Sequence, residues 1–326
     1  MSRAISRRLR SAQQPHGCGL LALVLVLALS ALVSATPEPT YADFAYGPHE
    51  RNVLDLWLAP SETPTPLVIL IHGGGFRGGD KSKFVGEGRG PIDRFLAAGL
   101  SVAAINYRLT DGGENPYPIP MLDGARAVQF LRHQASRLNL DPARFGAMGG
   151  SAGGCMLMWL GFHDDLAVAD HEDPVLRASS RLQALAPSGG QSTLHLPTLE
   201  TWLGVESLVE HAGFRPLFAL PLEGDIEWSE DLLDSMLDAS PITHLTADDP
   251  PIYLSYAIPN LPVDEETSPN VWVHHPVFGI ELKAQMDVLG IECHVWYPGG
   301  PSVDAYASQE AFLIEQLTKL TDVTGP

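Results

Sequence analysis

A doubly wound, mostly parallel α/β sheet is the fold class this sequence predicts, and three observations predict it. Apolar, β-branched runs alternate along the chain with helical apolar periods, the pattern of parallel strands joined by right-handed helical crossovers. Leu67-Val68-Ile69-Leu70-Ile71 is continuously apolar, as a strand covered on both faces must be. Gly149-Gly150-Ser151-Ala152-Gly153 stands between an apolar lead-in and the helix-forming Cys155-Met156-Leu157-Met158-Trp159-Leu160, so it marks a sharp strand-to-helix turn.

Taken in order, Leu54-Asp55-Leu56-Trp57-Leu58 alternates and reads as a strand at the sheet's edge. The buried strand at 67–71 follows and ends in His72-Gly73-Gly74-Gly75. Residues 91–100 read as a helix with Pro91 at its start and Gly99 near its end, and 101–109 as the next strand. A helix is expected over 121–136, where Ala125, Val128, Phe130 and Leu131 keep a helical period. The helix after Ser151 should run to about Phe162, and 182–187 forms a short strand. Residues 191–238 show no strand rhythm and carry Trp202, Phe214, Phe218 and Trp228, which suits a helical cap inserted over a pocket. Strands over 252–257 and 291–297 bracket a long loop at 258–275 and a helix opening at Pro276; a last helix covers 306–320.

Composition bounds the function. The 326 residues suffice for one large α/β domain. A formal net charge of -19 disfavours nucleic-acid partners, since phosphate would be repelled. Arg3, Arg7, Arg8 and Arg10 precede an apolar stretch at 20–33, and Val33-Ser34-Ala35 resembles a signal-peptidase site. Residues 1–35 therefore read as a secretory signal peptide and 36–326 as one α/β domain with the cap inside it. Export to a periplasmic or extracellular compartment follows, with no stable membrane association after cleavage; a retained N-terminal anchor is the alternative. Cys155 and Cys293 fall at core positions, so no disulfide framework is implied. The stretch from His163-Asp164-Asp165 to Asp170-His171-Glu172-Asp173 lacks regular ligand spacing and reads as a solvated acidic loop rather than a metal site.

Two stretches carry chemistry. A serine at a tight glycine-flanked turn is held clear of the backbone near a helix N-terminus. Backbone N–H groups in a glycine loop can face a developing oxyanion, and glycine leaves room for a substrate carbonyl. On these two motifs, in this order, the chain resembles the α/β-hydrolase family in its hormone-sensitive-lipase-like and feruloyl/acetyl-xylan-esterase-like branches. The resemblance implies Ser151 as nucleophile, the N–H groups of Gly74, Gly75 and Ala152 as oxyanion hole, a small carboxylic ester as substrate, and no cofactor or metal.

The rest of the triad departs from that resemblance. In the family the acid follows the next-to-last strand and the histidine follows the last. Laid on this chain, those positions fall on Asn260 and Pro301, and no histidine occurs after His294. Three readings follow. The base has moved to the 258–275 loop as His274 or His275, oriented by Asp264 or its glutamate neighbours; the histidine pair before Pro276 also suits a helix cap. Alternatively the chain is a catalytically inactive binding protein that kept the pocket, or a slow hydrolase using serine and oxyanion loop alone. The reading carried forward is an exported serine hydrolase acting on small carboxylic esters, acyl groups on carbohydrate among them, with the inactive binding protein as its rival.

Overall fold

The computed structural model describes residues 38–319, so the expected signal peptide lies outside the described residues. Eight strands form one sheet: β1 (Tyr41–Ala45), β2 (Val53–Trp57), β3 (Thr65–Ile71), β4 (Ser101–Ile105), β5 (Leu140–Gly150), β6 (Leu185–Ser188), β7 (Ile252–Ser255) and β8 (Cys293–Trp296). Their order is β1-β2-β4-β3-β5-β6-β7-β8. β2 runs antiparallel to both β1 and β4, and every pairing from β4 to β8 is parallel. The run expected to form an edge strand is β2, and it is not at the edge. β1 lies outside it; its Tyr-Ala-Asp-Phe-Ala sequence is half exposed and too mixed to announce a strand.

Side-chain alternation divides the continuous apolar strands between two cores. Leu67, Ile69 and Ile71 of β3 and Ala103 and Ile105 of β4 face one layer; Val68, Leu70, Val102 and Ala104 face the other. Helices cover both faces. Those in chain order are α1 (Gly90–Ala97), α2 (Ile119–His133), α3 (Ala135–Leu138), α4 (Ala152–Phe162), α5 (Leu196–Leu203), α6 (Phe214–Leu217), α7 (Glu230–Asp238), α8 (Pro269–Trp272), α9 (Val277–Leu289) and α10 (Gln309–Thr318). α2, α4 and α9 pack on the first layer, while Ile92 and Phe95 of α1 and Phe312, Leu313 and Leu317 of α10 pack on the second. α4 has every residue buried, which explains why its sequence is apolar all round. α5, α6 and α7 form the helical insertion between β6 and β7.

The centre of the molecule is a close approach of backbones. A Cβ built at Gly153 would stand 2.3 Å from the Ile71 oxygen and 2.7 Å from that of His72; one at Gly149 would stand 2.7 Å from the Ile71 oxygen. Only glycine lets α4 start this near the end of β3. Gly153→Ala should therefore cost about 3 kcal/mol or more, because backbone has to move. Denaturant unfolding of the two proteins measures this, and an unchanged midpoint would show that the approach is not needed.

Candidate active site

Ser151 sits between the end of β5 and the start of α4 with φ 53 and ψ -123, a backbone region that a residue with a Cβ seldom occupies. Two hydrogen bonds hold it there: its N–H donates to the Ser188 oxygen at 2.8 Å, and its own oxygen accepts from Cys155 at 2.9 Å. The turn aims the hydroxyl away from the sheet. His274 lies opposite, its Nε2 2.9 Å from Ser151 Oγ, and its Nδ1 is 2.9 Å from the main-chain oxygen of Asn270. A carbonyl only accepts, so Nδ1 carries the proton and Nε2 is left as an acceptor for the serine hydroxyl.

The sequence reading joined His274 and His275 as alternatives, and the structure separates them. The His275 ring is buried, with Nε2 2.9 Å from the Leu261 oxygen and Nδ1 accepting from the Val277 N–H at 3.1 Å. It caps the first turn of α9 and does not reach Ser151. Asp264 does not orient either ring. It is exposed and closed into its own turn, where Thr267 Oγ1 donates to its carboxylate at 2.7 Å. The expected roles of His275 and Asp264 are corrected on this geometry. Asn260 and Pro301 are both exposed loop residues.

The residue found at Nδ1 instead, Asn270, belongs to α8, a four-residue helix inside what the sequence suggested was all loop. Ser268-Pro269, a polar residue before proline at the first helical position, was the available signal. Histidine four residues beyond Asn270 then brings ring and carbonyl together. Three other contacts fix this segment. Gln191 Nε2 donates to the Val273 oxygen at 2.7 Å, Trp272 Nε1 donates to the Val209 oxygen at 3.2 Å, and Gly189, at φ 56, leaves room for the His274 ring.

The glycine loop after β3 is shaped by its own backbone. The Gly74 oxygen accepts from Arg77 and Gly78, and a Cβ on Gly74 would stand 2.3 Å from the Gly78 oxygen. Gly74 thus makes the turn, while Gly75 and Ala152 line the cavity beside Ser151. Ala152 opens α4, so its N–H has no partner within the helix. His72 anchors the loop. Its ring stacks on Tyr107 at 4.3 Å, its Nδ1 is 2.8 Å from the Gly73 oxygen, and Tyr107 donates to the His72 oxygen at 2.9 Å. Next to Tyr107, Arg108 clasps the buried Asp123 of α2 with Nε and Nη2, at 2.8 and 2.7 Å.

The cavity at Ser151 has a volume of about 50 Å³ and is walled mainly by Phe76, Leu196, Leu199, Phe214, Leu217 and Phe278. His211, from the insertion, is also on its wall, and burial followed by the neighbouring His274 pushes its pKa down. No cluster of three His, Cys, Asp or Glu among the described residues could hold a metal ion. In the acidic stretch, Asp165 accepts from the Ala167 and Ser180 N–H groups and Asp173 pairs with Arg126 at 2.7 Å.

A family model described as BD-FAE matches residues 54–268. The chain belongs to the BD-FAE family. Among its relatives, the probable carboxylic ester hydrolase LipM of Mycobacterium tuberculosis is 29% identical over 231 residues, which is 65% of this chain and 46% of LipM. The carboxylesterase NlhH of the same species is 34% identical over 91 residues, 27% of this chain and 26% of NlhH. The chain thus spans less than half the length of either relative. A truncated carbohydrate esterase from gut microbiota superposes with a TM-score of 0.62 at 20% identity, covering 87% of this chain and 99% of that one. The propionate-bound esterase Est2 of Thermogutta terrifontis gives 0.57 at 19%, covering 80% and 83%. At these identities the likeness is one of fold, and the fold of this BD-FAE member is that of the α/β-hydrolases.

The loop's dependence on a neutral His72 makes stability sensitive to acid. Burial lowers its pKa from 6.5 to about 4, and Nε2 has no hydrogen-bond partner among the described residues to accept a new proton. The folded value lies below the unfolded one, so the unfolded chain takes up the proton first as pH falls. The contribution is whole above pH 6.5 and is lost between pH 6.5 and about 4, amounting to about 3 kcal/mol. Wild type minus His72→Phe, compared by denaturant unfolding across this range, should show that slope; a flat difference would mean that His72 does not titrate there.

Proposed function

We propose that this chain hydrolyses small carboxylic esters through Ser151 and His274. The observation carrying the reading is the 2.9 Å contact of His274 Nε2 with Ser151 Oγ, from a ring whose other nitrogen is held by the Asn270 carbonyl. Names of relatives, a carboxylic ester hydrolase and a carboxylesterase, support the same reaction.

The steps follow from the geometry. His274 Nε2 takes the serine proton as Oγ attacks the ester carbonyl carbon. The carbonyl oxygen becomes an oxyanion, which the N–H groups of Gly75 and Ala152 stabilise. The imidazolium then gives its proton to the departing alcohol, leaving an acyl group on Ser151. Water, deprotonated by the same ring, releases the acid and restores the serine. The cavity admits little: its 50 Å³ is room for only a few waters, so the acyl group is short. Acetyl or propionyl esters fit, and a carbohydrate as the alcohol is in keeping with the gut carbohydrate esterase of like fold.

Ser151→Ala and His274→Ala should each lower kcat/KM on an aryl acetate by about ten-thousand-fold. His275→Ala should stay within a few-fold in rate while losing about 1 kcal/mol of stability with its helix cap. In wild type, kcat/KM should fall as the acyl chain lengthens from acetyl to octanoyl. A wild type that hydrolyses none of these esters and resists a serine-directed phosphonate would leave the fold as a binding protein. Export is proposed from the N-terminal sequence, with maturation at Thr36. N-terminal sequencing of protein recovered outside the cytoplasm should read Thr-Pro-Glu, and an intact Met1 would overturn it.

A further inference from the structure

We propose that the cavity on the outer side of His211 is a subsite for a carboxylate carried by the alcohol half of the ester. The proposal rests on the ester-hydrolase reading above and names the substrate class that reading leaves open: short-acyl esters of hydroxy acids. Two cavities meet at His211. One is the small cavity beside Ser151; the other, of about 320 Å³, is lined by Arg77, Glu210 and Arg215 as well as by His211. The cavity at Ser151 has room for a short acyl group only, so the part of a substrate that extends past His211 is the alcohol.

What marks the outer cavity is its charge. Asp and Glu outnumber Lys and Arg by 39 to 20 in this chain, yet this cavity gathers two guanidinium groups against one carboxylate, Glu210. His211 adds no charge at neutral pH, because burial lowers its pKa. Arg215 is partly used: Nη1 donates to the Pro221 oxygen at 2.8 Å and Nη2 pairs with Glu210 at 3.3 Å. Arg77 is used less. Its Nη1 donates to the Ala212 oxygen at 3.2 Å, and it has no carboxylate partner among the described residues. Nε and Nη2 are left for an anion, and that edge of a guanidinium receives a carboxylate through two parallel N–H groups. Both arginines are built into elements that form the site. The Arg77 N–H closes the glycine loop on the Gly74 oxygen at 3.1 Å, two residues beyond Gly75. Arg215 lies in α6 between Phe214 and Leu217, which wall the cavity at Ser151, so this short helix gives apolar side chains to one cavity and a cation to the other. A Cβ on Gly213 would stand 2.4 Å from the Gly75 oxygen, so the backbones that carry the two arginines are in contact and hold a fixed spacing.

The full chain tests this with a short series of ω-acetoxyalkanoates, each paired with the neutral amide of the same length. At the length that spans His211, the carboxylate should be preferred to its amide by roughly ten-fold in kcat/KM, with the difference in KM, and added salt should shrink it. The preference is read as a ratio within each protein, so a general loss of activity cancels. Arg77→Met and Arg215→Met, which keep the stem and remove the guanidinium, should each bring the ratio towards one, and Arg215→Lys should keep part of it. Glu210→Gln removes the wall's own carboxylate and releases Arg215, so it should raise the ratio; an Arg215 that only braces the insertion gives no such rise. A wild-type ratio of one or below at every length, or a ratio that the arginine variants leave unchanged, overturns the proposal. So does a preference for a carboxylate on the acyl half, read from the hemisuccinate and the acetate of one aryl alcohol. If an arginine variant does not fold, Glu210→Gln decides, an unchanged ratio there counting against us. A wild type active on an aryl acetate but indifferent to the carboxylate sinks this proposal alone, whereas one inactive on every ester sinks the ester-hydrolase reading and this with it.

Discussion

The structure depends on one steric constraint: the start of α4 must pass within backbone contact of the end of β3. Gly149 and Gly153 make that passage, and their missing side chains are what bring Ser151 and the His72-Gly73-Gly74-Gly75 loop to the same point. A Cβ on Gly73 would stand 2.6 Å from the Gly150 oxygen and 3.1 Å from Ser151 Cβ, so loop and serine are in contact from both directions. The strained φ of Ser151 is the cost of this arrangement, and it is met by the Ser188 and Cys155 hydrogen bonds and by burial of all eleven residues of α4. The glycine loop and Ser151 arrive at one point together because neither can be moved without moving the other.

The base of the proposed reaction arrives from a different direction than the family resemblance implied. It comes from the loop after β7, not from the one after β8. The space at the ends of β6 and β7 is occupied by a polar network centred on Gln309 of α10. Its Nε2 donates to the Pro187 and Tyr253 oxygens, each at 2.8 Å, and its Oε1 accepts from Ser188 and Ser255 at 2.7 and 2.9 Å. Every polar atom of that amide is satisfied, so the network ties α10 to the strand ends and leaves no titratable group among these partners. The Ser188 that joins this network is also the residue whose carbonyl holds the Ser151 N–H. The strand ends are thus fixed without a histidine after β8, and the β7 loop is free to supply one.

Much of this was legible in the chain because the governing physics is local. The buried parallel strands, the glycine turn and the all-apolar helix after Ser151 each follow from hydrophobic pattern and from where a Cβ is excluded. His274 emerged by elimination, from the absence of histidine beyond His294. Its distinction from His275 was not legible: adjacent residues point in different directions only once α8 has ended and α9 has begun, and α8 is too short to show a period. Asp264 misled for a related reason. A carboxylate near a histidine in sequence suggests a pair, but its nearest donor was Thr267 in its own turn.

In the proposed reaction, a main-chain carbonyl in place of a carboxylate at His274 changes one of the acid's two functions and leaves the other whole. The first function is to fix the tautomer. A carboxamide side chain could offer its N–H and hold the ring the wrong way round, a fault that costs about ten-thousand-fold in a serine hydrolase. The Asn270 carbonyl has no proton to offer, so Nδ1 stays protonated and Nε2 stays a base. The second function is to stabilise the imidazolium formed during reaction. A hydrogen bond to a charged partner is worth about 1 kcal/mol more than one between neutral groups, so the carbonyl forfeits roughly a factor of five in rate, not ten thousand. The half-buried setting of His274 softens this further, because solvent shares in stabilising the cation. What limits such a site is then the constancy of the carbonyl's position more than its lack of charge, and that constancy has to come from the contacts that α8 makes with the insertion above it and with Gln191 below.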